Sequence, residues 1–237
     1  MKRTSALGSL AILTLFIIGA DSKAQQMEGE IVTASTGILK ELTSSPDKGL
    51  PKKMLQDAQA IAVFPHVIKA GFVVGGRHGR GVISIRQDDG SWSNPLPLSI
   101  TGGSVGFQAG AQSIDLVLVF RSKRGIDPII QGKGKLKLGG DVSVAAGPVG
   151  REAGTATDPK LNSEIFTYSR TRGLFAGASL SGAVIKPDIT AIEHYYASDE
   201  LTPKEVVTRK DIPIRESTQL LLTTLTELAS PPPATTK

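Results

Sequence analysis

The chain contains no cysteine, and only 5% of its 237 residues are aromatic, including one tryptophan. Without cysteine it has neither disulfide bonds nor thiolate chemistry, so its stability depends on its core alone. Proteins that bind nucleic acid usually combine a strongly basic surface with aromatic side chains that stack on bases. The formal net charge here is only +5 and aromatic residues are scarce. We therefore expect no nucleic-acid partner.

Candidate catalytic and metal-binding motifs are equally sparse. The histidines, His66, His78 and His194, lie far apart and lack the spacing of a helical metal motif. Residues 102–106 match the Gly-x-Ser-x-Gly pattern of a hydrolase nucleophile elbow, with Ser104 at its centre. That motif requires a sharp strand-to-helix turn, whereas residues 107–110 predict strand and turn. We predict a non-enzyme with no catalytic residue, no metal ligand and no cofactor.

The first 24 residues contain the one long apolar run. Lys2 and Arg3 precede apolar residues 6–20, and the small residues Ser22 and Ala24 follow them. This order is typical of a secretory signal peptide. A permanent membrane span needs about 20 apolar residues, so an uncleaved anchor is the less favoured alternative. We predict cleavage after Ala24 and export to the periplasm or the exterior.

Helical patterns lie at both ends of the remaining chain. Residues 26–43 place Met27, Ile31, Ala34, Ile38 and Leu42 on one stripe. We expect this stripe to dock on the core, because acidic neighbours are unusual for a membrane-surface helix, which remains the alternative. Further helices are predicted at 51–58, at 188–196 behind an Asp188 cap, after a capping box at 202–205, and at 216–228.

The middle of the chain has the pattern of a β structure. Residues 133–144 alternate strictly, with Lys133, Lys135 and Lys137 on one face and apolar residues on the other. Further strands are predicted at 60–64, 71–75, 81–86, 98–107, 114–120, 165–169 and 174–185, with a turn at 88–90 and an exposed loop at 121–125. The predicted fold is α+β, an antiparallel β-barrel or strongly bent β-sandwich with N-terminal and C-terminal helices.

Basic residues are the candidate binding groups. They are the row Lys133, Lys135 and Lys137, the pair Arg77 and Arg80, and the group Arg121, Lys123 and Arg124. Near an anionic bilayer each such charge contributes about 1 kcal/mol to binding. The alternative is that they form a solvated face, as most charge runs do.

Several segments together resemble the SYLF family of lipid- and actin-associated domains. They are residues 58–65, 69–76, 92–95, the Gly-Pro-Val-Gly-Arg corner at 147–151, and 168–170 leading to 173–177. The resemblance covers roughly residues 27–228. It implies lipid binding, and in eukaryotic relatives phosphoinositide and actin-filament binding, with membrane contact attributed to an N-terminal amphipathic helix.

The sequence and the resemblance together predict one domain over residues 25–228, helical at 25–58, mainly β at 59–187 and helical at 188–228, followed by a disordered tail at 229–237. We expect an exported, non-enzymatic domain that binds an anionic phospholipid, a membrane surface or a lipid-like ligand at the cell envelope. The competing hypothesis is a protein-interaction module that binds a filament or an envelope protein.

Overall fold

The computed structural model describes residues 7–44, 50–131, 134–148, 163–171 and 174–230, with the backbone alone described at 7–21, 52, 72–74, 104–110, 174, 175 and 177. Its helices are α1 (Leu7–Ser44), α2 (Lys52–Gln56), α3 (Asp127–Ile130), α4 (Ile189–Tyr196), α5 (Pro203–Thr208) and α6 (Glu216–Ala229). Its strands are β1 (Ala60–Ile85), β2 (Leu96–Phe120), β3 (Leu136–Lys137), β4 (Val144–Ala146), β5 (Ile165–Thr171), β6 (Leu174–Gly177) and β7 (Val184–Pro187).

A long hairpin of β1 and β2 is the centre of the sheet. The two strands pair antiparallel from Ala60–Phe120 at one end to Ile83–Leu96 at the other. The predicted turn at 88–90 joins them, and Gly90 there has a φ of 81°. The other edge of β2 pairs with β7 near its start and with β5 near its end. The strand order is therefore β3–β7–β2–β5–β4, with β1 beside β2 and β6 beside β5.

Strand β1 curls back until its two halves pack face to face. A Cβ atom on Gly81 would lie 2.1 Å from the backbone oxygen of Val63, and one on Gly79 would lie 2.6 Å from Cγ2 of Val67. Only glycine permits so close an approach. The curled sheet forms a half-barrel with helices at both ends, which confirms the predicted α+β class and strong bending. The pairing of β4 with β5 is parallel, unlike the rest.

Each face of the sheet has its own core. Alternate residues such as Phe64 and Leu118 are fully buried inside the half-barrel. Their neighbours Val63 and Val117 point outward and pack with Leu39 of α1, while α6 also covers this face. Because both faces of these strands are buried, their sequence is almost continuously apolar.

The predicted N-terminal helix docks on the sheet. Ile38 and Leu42 are buried, whereas Met27 is 50% exposed, so the apolar stripe is centred further along the helix than predicted. Helix α1 is longer than predicted and passes through Ala24 without a break. Within the described part of the chain, no helix is both long and apolar enough to span a membrane.

The predicted strand at 133–144 is wrong as a single element. Among its described residues, 134–144, the structure has strand at Leu136–Lys137 and at Val144, the first residue of Val144–Ala146, and a turn separates the two. Gly139 has a φ of 76°, and the Asp141 carboxylate accepts a 2.7 Å hydrogen bond from the Lys137 backbone N–H. Glycine and aspartate favour such turns, and this local preference outweighs the alternating pattern.

Other boundaries also differ from the predictions. The predicted strands 71–75 and 81–86 merge into β1, which ends at Ile85. The predicted strands 98–107 and 114–120 belong to β2, and 174–185 divides into β6 and β7. The predicted loop at 121–125 contains a 3₁₀ turn that leads to α3. The three C-terminal helices are confirmed, with Asp188 capping α4 and a Thr202–Glu205 capping box on α5. Residues 231–237 of the predicted tail lie outside the described residues.

Candidate binding surface

A row of exposed side chains crosses the sheet near its β3 edge. Lys137 pairs with Val184, Val184 pairs with Thr101, and Thr101 pairs with His78. Paired residues in antiparallel strands point to the same face, and all of these except half-buried Val184 are exposed. The next row across the same strands points inside the half-barrel. It consists of Leu136, Ile185 and Ile100, which are fully buried, and of the buried Gly79 on β1.

Three lysines lie on or beside this outward face. Lys135 and Lys137 belong to the β3 segment, and Lys186 lies two residues after Val184 on β7, so it points to the same side. All three are exposed, and within the described ranges none forms an ion pair. We call Lys135, Lys137 and Lys186 the open-edge lysines. Lys133, the first member of the predicted row, lies outside the described residues.

Arg80 lies on the same outward face but is already paired. Helix α1 passes over this part of β1 and brings the buried Glu28 carboxylate into an ion pair with Arg80. Asp188, the cap of α4, accepts a 3.3 Å bond from the Nε atom of Arg80. Burial raises the pKa of Glu28 above its usual value, although the Arg80 bond acts in the opposite direction. Arg80 thus joins α1, β1 and α4.

The predicted group at 121–124 lies after the end of β2 that pairs with β5. Lys123 forms a 2.7 Å ion pair with Asp88, and Arg124 lies 3.9 Å from Glu164. The Arg121 guanidinium lies over the ring of Phe166, 5.7 Å from its centroid. The structure therefore does not bring this group together with the open-edge lysines, which lie beside the start of β2.

Arg77 points to the inner side of the curled sheet. Its Nη atoms donate to the backbone oxygens of Gly103 at 3.3 Å and Ser179 at 3.5 Å. Burial lowers the pKa of this guanidinium. Among the described residues it has no carboxylate partner, in contrast with Arg80.

The sequence analysis missed an ion-pair group beneath α1. Asp115 on β2 is 8% exposed and forms a 2.7 Å ion pair with Arg170 of β5, which also pairs with Glu41 of α1. The Asp115 carboxylate also accepts the backbone N–H of His66, which has a φ of 54° at a bulge in β1. An isolated acidic residue in an apolar central strand was the available signal, because buried charges require partners.

The Trp92–Pro95 segment anchors the β1–β2 turn. Arg86 lies over the Trp92 ring at 4.8 Å, and the amide of Asn94 donates to the Arg209 carbonyl at 3.4 Å. The segment also lines a cavity of about 320 Å³ beside α5 and α6. Its rim cations are paired, Lys210 with Asp89 and Arg209 with Asp211.

The backbone around Ser104 runs within strand β2, so the strand-to-helix turn of a nucleophile elbow is not formed there. In the ranges that the structure describes, no three acidic or histidine side chains are grouped as a metal site would require.

Comparisons with known proteins identify one group of relatives. The family model described as "Ysc84: Las17-binding protein actin regulator" matches residues 101–228. The SH3 domain-containing YSC84-like protein 1 of Homo sapiens is 36% identical over 167 residues, which cover 68% of this chain and 48% of that protein. Protein YSC84 of Saccharomyces cerevisiae is 36% identical over 163 residues, which cover 68% of this chain and 34% of that protein. The matched part thus spans about half or less of these relatives. No solved structure matches the chain.

Proposed function

This chain belongs to the family of the Las17-binding actin regulator Ysc84, and from that premise we propose that it is a non-enzymatic domain that binds an anionic phospholipid surface. The observation that carries the proposal is the set of open-edge lysines, which are exposed and lack carboxylate partners in the described ranges. The other predicted cations that the structure describes make ion pairs, aromatic contacts or carbonyl bonds within the protein.

The three lysines make a measurable contribution to membrane affinity. Each lysine near an anionic leaflet contributes about 1 kcal/mol, so three contribute about 3 kcal/mol, or roughly a hundred-fold in affinity. Lys137 and Lys186 share one face, and Lys135 lies beside them in the chain just before β3, so we expect one planar surface to engage all of them. Exposed charges are screened by salt, and binding should therefore weaken as ionic strength rises.

Two features support a binding role over catalysis. The description of the family names a binding protein and a regulator. The Gly-x-Ser-x-Gly match at 102–106 lies within strand β2. A nucleophile elbow would require a sharp strand-to-helix turn at this serine instead.

Export to the cell envelope is part of the proposal. The basic, apolar and small residues of positions 2–24 have the order of a signal peptide. Cleavage after Ala24 would retain Glu28, Ile38, Leu39 and Leu42, the α1 residues that contact the sheet. Intact-mass measurement of the protein from the envelope fraction tests this. A chain that begins at Gln25 supports export with cleavage, and a chain that begins at Met1 refutes cleavage.

The test is charge reversal of the three open-edge lysines. The variant Lys135→Glu, Lys137→Glu, Lys186→Glu should melt like the native protein, because these side chains are exposed and unpaired. Its sedimentation with phosphatidylglycerol vesicles should weaken by about a hundred-fold or more, since attraction becomes repulsion.

A matched variant, Lys40→Glu, Lys53→Glu, Lys204→Glu, makes the same change in net charge at exposed positions on helices. It should retain most of the vesicle affinity, because the effect requires charges at the contact surface. Equal loss in both variants, or no loss in either, contradicts the proposed surface.

The second candidate is a protein-interaction module, favoured by the description of the family as Las17-binding. Sedimentation with actin filaments in the absence of lipid tests it. Filament binding by a protein that ignores anionic vesicles would favour this candidate over lipid attachment.

A further inference from the structure

Arg77 differs from the other arginines in the described part of the chain because neither a carboxylate nor an aromatic ring is its partner there. Four of the others form ion pairs with carboxylates within the ranges given above: Arg80, Arg124, Arg170 and Arg209. Three lie over aromatic rings: Arg86, Arg121 and Arg215. Arg77 has only two long bonds to backbone carbonyls.

The guanidinium of Arg77 is half-buried and short of acceptors. Its Nε atom is enclosed and has no hydrogen-bond partner among the residues described. A guanidinium carries five N–H donors, and two of them are used here. Each Nη atom therefore keeps one free N–H group. Such a charge is stabilised when it meets an oxyanion that accepts two bonds at once.

Both residues whose carbonyls contact Arg77 are exposed. Gly102 packs closely against Ala183, where an added Cβ would lie 3.0 Å from Cα. Gly103, whose carbonyl contacts Arg77, is exposed, and a Cβ there would meet nothing within 4 Å. Ser179, the other carbonyl partner, is also exposed. A small anionic group can thus approach the guanidinium between these two segments.

We infer that Arg77 is an oxyanion-binding site for a phosphate or carboxylate group, on the inner side of the curled sheet beside Gly103 and Ser179. The inference rests on the proposed lipid-binding function where the phosphate is that of a lipid headgroup. It is separate from the open-edge lysines, because Arg77 lies on the inner side of the sheet and they lie on the outer side. The lysines provide general attraction to a surface, whereas Arg77 binds one anionic group.

Titration of the full chain with inorganic phosphate tests the site directly. At constant ionic strength maintained with chloride, the nitrogen–proton resonance of the Arg77 side chain should shift with saturation, and that of Arg86 should not. Arg77→Gln should weaken phosphate affinity by about ten-fold or more, the usual effect of losing charge-assisted hydrogen bonds.

Two further variants control for structure. Arg86→Gln also removes a half-buried arginine whose Nε lacks a partner, and it should retain native phosphate affinity. Arg77→Lys keeps the charge without the planar fork and should show an intermediate loss. If Arg77→Gln does not fold, the resonance shift in the native chain and the Arg77→Lys affinity decide the matter.

The sources of the phosphate are distinguished with vesicles. Loss of affinity for both phosphate and phosphatidylglycerol vesicles in Arg77→Gln identifies a headgroup site. Loss for phosphate alone identifies a site for a soluble oxyanion. Absence of a saturable Arg77 shift in the native chain, or equal phosphate affinity in native and Arg77→Gln proteins, overturns the site. Neither result alters the lysine test, so failure of the site and failure of the proposed function remain distinguishable.

Discussion

The helix-covered part of the sheet and its open β3–β7 edge use positive charge in different ways. Under the helices, Arg80 and Arg170 each contact two carboxylates, one of which belongs to α1. At the open edge, Lys137 and Lys186 meet no carboxylate within the described ranges. The covered cations thus join elements of the fold, whereas the edge cations are exposed and unpaired within those ranges, as the proposed binding surface requires.

The largest expected effect tests the covered part. Arg170→Met should lower the free energy of unfolding by about 3–5 kcal/mol, because it leaves the buried Asp115 carboxylate without its cation. Lys137→Met at the open edge should change it by no more than about 0.5 kcal/mol. Urea unfolding of both variants measures the contrast.

Vesicle sedimentation below the melting temperature completes this test. Arg170→Met should bind anionic vesicles like the native protein once it is folded. Similar stability losses in Arg170→Met and Lys137→Met would remove the distinction between the two regions.

The second expected effect concerns the apolar contacts of α1. Ile38→Ala should lower stability by about 2–5 kcal/mol, since Ile38 is buried against the sheet. Met27 lies on the same helix but is half exposed, so Met27→Ala should lower the free energy of unfolding far less. Thermal melting and vesicle sedimentation of the two variants measure these effects. Unchanged melting with lost binding in Ile38→Ala would mean that α1 serves a membrane instead of the core.

Much of the fold was predictable because local patterns agree with it. The caps of α4 and α5 and the turn at Gly90 are determined by nearby residues, and all are observed. The curl of β1 was not predictable, since it depends on contacts between Gly81 and Val63, which lie 18 positions apart. The turn at 139–141 was missed because alternation was given more weight than its glycines and Asp141.

The candidate site was only partly predictable. Exposure of Lys135 and Lys137 followed from their alternation with apolar residues. Lys186 joins them only through the pairing of β3 with β7, which no local pattern indicates. The pairing of Arg80 with Glu28 likewise depends on where α1 crosses the sheet.

The smallest expected effect is a pH dependence in the covered part. Burial raises the pKa of Glu28 from its usual value of 4.5, so the folded state holds this proton more strongly than the unfolded state. The resulting stability is present below pH 4.5 and is lost as the pH rises through the folded-state pKa. The Glu28→Gln variant cannot ionise at this position, so it does not lose this stability as the pH rises. Its free energy of unfolding should therefore improve relative to the native protein as the pH rises from 4.5 towards neutrality, and a change in the opposite direction would contradict the assignment.

The most direct test of the account is lysine acetylation of the native protein on vesicles, read by mass spectrometry. The account predicts that phosphatidylglycerol vesicles protect Lys135, Lys137 and Lys186 and that neutral vesicles do not. It also predicts that Lys40 of α1 and Lys53 of α2, which are exposed as well, stay reactive. Protection of Lys40 and Lys53 with unchanged labelling of the open-edge lysines would contradict it.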